Sequence, residues 1–151
     1  MFRTIEGKEV DVLKHIGEMI DPVKEYELII GSDSQQVGPE TKYATVIVLW
    51  EVGHGAHIIY EKVIVKRVKD LFMRLWKEVE LTADVAKILI PLAEKFNIKM
   101  SLHLDINTDK RHKSNIVLQA AFGYLKGMNY ENIYFKPEAA IASIIADKYC
   151  K

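Results

Sequence analysis

The chain has 151 residues, enough for one domain with a core of its own and little room for a second. Hydrophobic residues make up 49% and charged residues 28%, with 21 Lys+Arg against 21 Asp+Glu, a balance that excludes a disordered tail or a histone-like polycation. The lone cysteine, Cys150, excludes an internal disulfide and a thiolate zinc site. No apolar run approaches the roughly 18 residues of a membrane span, and the N-terminal segment lacks the apolar core of a signal peptide, so a cytoplasmic setting without membrane partners is expected.

In chain order, Val10, Leu13, Ile16, Gly17 and Ile20 recur at helical spacing and predict a helix from about residue 8 to residue 20, packed on the domain that follows. Asp21-Pro22 punctuates it. The run from Tyr26 to Ser34 predicts a strand whose apolar stretch does not alternate, as suits a strand covered on both faces. A turn at Gly38-Pro39 leads to a second strand from Lys42 to Val52, and Gly53-His54-Gly55 signals a hairpin into a third strand from Ala56 to Val65. The period then switches: Leu71, Leu75, Val79, Ala83, Ala86, Ile90 and Ala93 describe a long amphipathic helix ending near Asn97, with a kink tolerated before Pro91. A fourth strand follows from Ile98 to Ile106. Ser114 is expected to cap a helix from Asn115 to Lys126, a short fifth strand runs from Asn132 to Lys136, and Pro137 opens a terminal helix through Tyr149. The first three strands form an antiparallel meander, while strands separated by helices need crossovers and lie parallel to the first. The expected architecture is α/β: a five-stranded mixed sheet, order 3-2-1-4-5, with helices on both faces.

Against this frame a few acids are out of place. Asp33 ends a strand expected to be central, Asp105 ends its parallel neighbour, and both emerge at the end of the sheet where open α/β folds hold ligands. Glu78 interrupts the stripe of the long helix that presses on the sheet, where an unpaired carboxylate would cost several kcal/mol or be protonated. Asp147 flanks the apolar face of the terminal helix. Clustered acids hold hard divalent cations such as Mg2+ or Mn2+, which prefer carboxylate oxygens and suit phosphate substrates. Each acid also has a plainer reading: an Asx-turn for Asp33, a turn initiator for Asp105 with Asn107, a helix-surface pair with Arg74 for Glu78, and a solvated position for Asp147 beside Lys148. Their conjunction at one end of the sheet favours the cation.

The segments Ile30-Gly-Ser-Asp-Ser-Gln35, Arg74-Leu-Trp-Lys-Glu78, His103-Leu-Asp-Ile-Asn107 with Ser114, Lys136-Pro137 and Ala142-Ser-Ile-Ile-Ala-Asp147-Lys148 resemble the bacterial YkuK family of ribonuclease H-like proteins. The resemblance runs from about Lys8 to the C-terminus. It implies a ribonuclease H-like fold and a Mg2+- or Mn2+-dependent nuclease acting on RNA or DNA. Carried over residue by residue, Asp33, Glu78 and Asp105 match the first three acidic positions and ligate the metal, with Asp147 as a fourth. In a helix opened by Pro137, Asp147 lies about 15 Å along the axis, farther from the start than the superfamily's usual acid.

Around this site, Lys110, Arg111 and Lys113 precede the helix of Ser114 and could meet phosphates, or form a solvated loop. Lys136 approaches the same sheet edge, and Ser34, Gln35 and Asn107 are further substrate-contact candidates. Basic residues from Lys62 to Lys77 oppose an N-terminal stretch of seven acids against four bases, a polarity that can make a phosphate-binding face at zero net charge. His103 shares a strand face with Asp105 and reads as a core histidine. His54 and His57 lie on a hairpin without a convergent third zinc ligand. Trp50, Trp76 and the tyrosines fit core and strand roles, with no spaced aromatic platform for single strands. Two alternatives stay open: a non-catalytic nucleic-acid- or protein-binding module on the same fold, and a homodimeric scaffold using the exposed third strand, which would make the chain a homo-oligomer.

Overall fold

The structure, a computed structural model, describes residues 1–136. A two-residue strand, β1 (Arg3–Thr4), precedes helix α1 (Val12–Met19). Asp11 fixes the helix start by accepting the Lys14 N–H on its side chain. The helix is shorter than its apolar spacing suggests because residues before Asp11 are held elsewhere: Arg3 bridges to Glu9, and the Thr4 N–H donates to the Lys8 carbonyl.

Three strands of 12 residues each, β2 (Tyr26–Val37), β3 (Glu40–Glu51) and β4 (Gly55–Lys66), form the antiparallel meander. Their tight turns contain Gly38 (φ 57°) and Gly53 (φ 80°), in the left-handed region that side chains disfavour. α2 (Leu71–Phe96) starts where the Asp70 carboxylate accepts the Phe72 and Met73 N–H groups, and it continues through Pro91. It ends on Asn97 in the left-handed conformation (φ 52°, ψ 49°). β5 (Lys99–Asn107) lies parallel to β2, and β6 (Ile133–Lys136) lies parallel to β5. The connection holds a 3-10 turn (Lys113–Val117) and α3 (Leu118–Gly127). Ser114 is therefore inside the 3-10 turn instead of capping an α-helix, and its Oγ accepts the Asn107 N–H at 2.9 Å.

The sheet has six strands in the order β1-β4-β3-β2-β5-β6, which corrects the expected five. The five expected strands keep their order, and β1 is added outside β4, pairing Arg3 with Tyr60 and Thr4 with Ile59. A two-residue strand has no periodicity to read, which is why the sequence did not announce it.

α2 lies across one sheet face, burying Leu75, Val79, Ala83, Ala86 and Leu89 against Leu28, Ile30, Leu102 and Leu104. Ile16 of α1 and Ala121 and Leu125 of α3 join the same cluster, so the described helices share one core. Ile29, Val46 and Val48 form a smaller buried cluster on the other face. The expected terminal helix falls on residues 137–151, outside the described residues.

Candidate metal centre and its basic crevice

The site is built where β2 and β5 part. Their parallel pairing ends at Gly31 with His103, yet β2 continues, paired to β3, as far as Val37. Asp33 and Asp105 each sit two residues past that last pair, on neighbouring strands leaving the sheet in the same direction. This is the crevice beyond the carboxyl ends of parallel strands. On the other side of β5, register with β6 shifts between Leu104 and Asn107, which releases Asp105 and Ile106 from the ladder. Ile106 remains buried, and Asp105 turns to the crevice rim with its side chain 20% exposed.

Glu78 enters from α2. It is 5% exposed, and its carboxylate accepts a short hydrogen bond from the Ser34 hydroxyl. One turn further along, Thr82 Oγ1 lies 2.9 Å from both Ser32 Oγ and the Glu78 carbonyl, sharing its one proton between them, and Ser32 in turn meets Thr45. These hydroxyls tie the polar end of α2 to β2. Carboxylate oxygens of Asp33, Glu78 and Asp105 all lie within 4.8 Å of one another. Burial, with the negative charges of Asp33 and Asp105 added, drives the Glu78 pKa well above the usual carboxylate value, against the opposing pull of the Ser34 hydrogen bond and the Arg74 charge. The helix-surface pair of Glu78 with Arg74 is not formed among the described residues. Ser34 takes that place.

An all-oxygen donor set with a buried, mutually repelling carboxylate fits a hard divalent cation better than zinc or copper, which favour nitrogen and sulfur. One neighbour competes for it: the Lys136 ammonium is ion-paired with Asp105. Burial alone would lower the Lys136 pKa, but the Asp105 hydrogen bond and charge, with Asp33 and Glu78 behind them, raise it.

A cleft of about 490 Å³ opens beside the acids, lined in part by Arg74, Asp105, Asn107, Lys113, Ser114 and Lys136. The structure thus brings Asp105, Asn107, Lys113, Ser114 and Lys136 into one recess, with Asp33, Glu78 and Ser34 meeting at its acidic end. Asn107 is held by its neighbours: its N–H goes to Ser114 and its Oδ1 accepts the Asp109 N–H at 2.8 Å. Lys110 is exposed on the same loop but is not among the residues lining the cleft. Arg111 is spent locally on Asp109, at 2.7 Å. Gln35 is half-buried on β2 beyond Asp33. Asp147 lies outside the described residues. Sequence reasoning missed Arg74 as a site residue. Its Nε is buried without a hydrogen-bond partner among the described residues, and the signals available were its place in the basic stretch from Lys62 to Lys77 and its position one turn ahead of Glu78.

With this geometry in hand, comparison with known families is informative. A family model described as ribonuclease H-like matches residues 11–151. The chain belongs to the ribonuclease H-like family. This is the YkuK family that the sequence motifs resemble, and the match spans the meander, the crossover helix and all three converging acids. No curated protein and no solved structure matches the chain. Membership agrees with the mixed α/β sheet and suggests a nucleic-acid-related function. No described helix is long and apolar enough to cross a membrane.

Proposed function

We propose that this protein is a Mg2+- or Mn2+-dependent nuclease that hydrolyses phosphodiester bonds of RNA or DNA. The observation that carries the reading is the convergence of the Asp33, Glu78 and Asp105 carboxylates within 4.8 Å beside a cleft lined by Arg74, Lys113 and Lys136. A divalent ion bound there supplies positive charge that polarises a phosphate oxygen and makes a water molecule more acidic. Asp33 and Asp105 hold it from two strand ends, and Glu78 completes the donor set from the helix. Ser34 orients the Glu78 carboxylate. Arg74 and Lys113 receive the flanking phosphates, for which a guanidinium fork and an ammonium are suited. Lys136 neutralises Asp105 through their ion pair and, lining the cleft, would meet substrate phosphate if a bound cation took over that charge.

Thermal melting with Mn2+ tests this. At an ion concentration 100 times the dissociation constant, stabilisation is about 2.7 kcal/mol, or roughly 5–10 °C for a chain of this size. Asp33→Asn removes the shift along with cleavage of labelled RNA and DNA strands. A wild-type melting curve indifferent to Mn2+ overturns the reading.

The Lys136–Asp105 ion pair favours a second reading, a nucleic-acid-binding module whose acid cluster is neutralised from within. Its signature is salt-sensitive affinity for RNA or DNA that survives Asp33→Asn, without metal-dependent cleavage.

A further inference from the structure

The first turns of α2 divide two recesses. On one side is the charged crevice. On the other is an apolar pocket of about 250 Å³, lined by Tyr43, Val65, Val68, Phe72, Trp76 and Lys77 among others. We infer that this pocket receives one unpaired nucleobase of a single-stranded nucleic acid whose backbone occupies the acidic crevice. The inference rests on the nucleic-acid reading of that crevice and deepens it by naming the strand state.

Tyr43 supplies the first argument. It is 0% exposed, and its hydroxyl has no hydrogen-bond partner among the described residues. A buried hydroxyl left unpaired is destabilising, and a ligand in the pocket relieves that cost if Tyr43 shifts enough to present it, since the side chain is fully covered before binding. Burial, with Glu78 nearby and Arg74 opposing, pushes the Tyr43 pKa up to about 12, so the phenol keeps its proton at neutral pH and can donate. An aliphatic or lipid ligand has nothing to offer this hydroxyl. A nucleobase has apolar faces and a polar edge, the combination the pocket calls for.

The aromatic wall is the second argument. Phe72 and Trp76 lie near-parallel, 11° apart with centroids at 6.2 Å, and Tyr124 backs Trp76 at 5.2 Å. Phe72 is 37% exposed and Met73 63%, so the mouth carries apolar surface toward solvent. Bases stack on such rings whatever their identity. The volume falls below the roughly 300–1,000 Å³ of sites for drug-sized ligands, which suits a single ring system. Trp76, which by sequence reads as a core residue, is thus half-buried at a pocket wall.

Position joins the two recesses. Tyr43 is the register partner of Ser34 across β2 and β3, and Ser34 donates to Glu78. Arg74, on the crevice side of the helix, and Lys77, which shares the pocket side with Glu80, place a cationic group on each flank, where phosphates on either side of an inserted base would pass. A base held in a duplex cannot enter without being unstacked, so the pocket selects single strands.

The test uses the full chain in EDTA, with Trp50→Phe so that Trp76 is the one tryptophan reporting. A ten-nucleotide oligoadenylate is expected to quench Trp76 saturably and to bind at least 10-fold more tightly than an abasic strand of equal phosphate count or the same sequence in a duplex. Tyr43→Phe is expected to weaken oligoadenylate binding about 3- to 10-fold while leaving the melting temperature equal or higher, because an unpaired buried hydroxyl has been removed. Equal affinity for abasic and base-bearing strands overturns the inference, as does quenching by an apolar peptide with none by oligoadenylate. A lowered melting temperature for Tyr43→Phe also overturns it, since the hydroxyl would then be bonded within the fold. The two readings fail separately: a Mn2+ melting shift without Trp76 quenching removes the base pocket alone, and quenching without a Mn2+ shift removes the nuclease alone.

Discussion

The two halves of α2 use the same helix for opposite purposes. From Val79 to Ala93 it buries Val79, Ala83, Ala86, Leu89 and Ala93 against the sheet. From Leu71 to Glu78 it turns Arg74 and Glu78 toward Asp33 and Asp105, in a setting where burial and like charge oppose ionisation. The first half brings Glu78 among carboxylates that repel it, with the Arg74 charge acting against that repulsion. The second half, continuous with it, holds them in place. A 26-residue helix spanning both lets the core offset the cost of an electrostatically uncomfortable cluster.

Leu89→Ala should separate the halves most strongly. Leu89 is 0% exposed in the main cluster, and truncation there should cost about 2–5 kcal/mol. A denaturant melt reads that loss. Because Leu89 lies three turns from Glu78, the Mn2+-induced stabilisation of the folded variant should match the wild type. A proportional loss of both would mean that the core and the site are one cooperative unit.

Glu78→Gln should act in the opposite sense. The folded state raises the Glu78 pKa, so from the ordinary carboxyl value of 4.5 upward it binds more protons than the unfolded chain. Stability from this group is therefore complete at low pH and is lost as pH rises through the folded value. Gln keeps an acceptor for Ser34 and removes the charge. The metal-free variant should melt a few degrees higher than the wild type at pH 8, and the two should converge toward pH 4.5. With saturating Mn2+ the order should invert, since the variant offers a poorer ligand. A metal-free variant that melts lower at every pH would show that the ionised carboxylate supports the fold, contrary to the contrast between the two halves.

The same contrast explains what the sequence could reveal. Asp33 and Asp105 stand out because each ends a buried, non-alternating strand, and Glu78 because it breaks a helical stripe. Such violations of periodicity are visible in one dimension. Chain handedness then brings the strands together, so the order of the five main strands and the convergence of three acids could be read. Partners are another matter. That Ser34 rather than Arg74 holds Glu78, and that Lys136 holds Asp105, depends on side-chain directions and on a register shift at residues 105 and 106 that no periodic pattern encodes. Tyr43 was equally hidden, because an apolar strand position looks the same whether its hydroxyl is satisfied or not.

A smaller effect comes from the region farthest in character from the acids, where α1 meets β4. His15 and His57 face each other with their Nε2 atoms 2.8 Å apart, so one ring donates and the other must accept. Burial lowers the His57 pKa and His15 lowers it further, despite Glu6. Burial likewise lowers the pKa of His103, whose Nδ1 lacks a partner among the described residues, with Lys99 adding to the effect against Glu27. Below the ordinary value of 6.5, then, the folded state binds fewer protons than the unfolded chain, and stability falls as pH drops through the folded values. Glu78 tilts the pH profile the other way, so metal-free stability should peak between the two limbs. His57→Gln should flatten only the acid limb, by a degree or two of melting temperature between pH 7 and pH 5, because half-buried groups are partly screened. The alkaline limb should persist until Glu78 is changed. If His57→Gln altered the alkaline limb as well, the α1 contact and the acid crevice would be coupled through the sheet, and the separation between a core that stabilises and a site that strains would have to be redrawn to include β4.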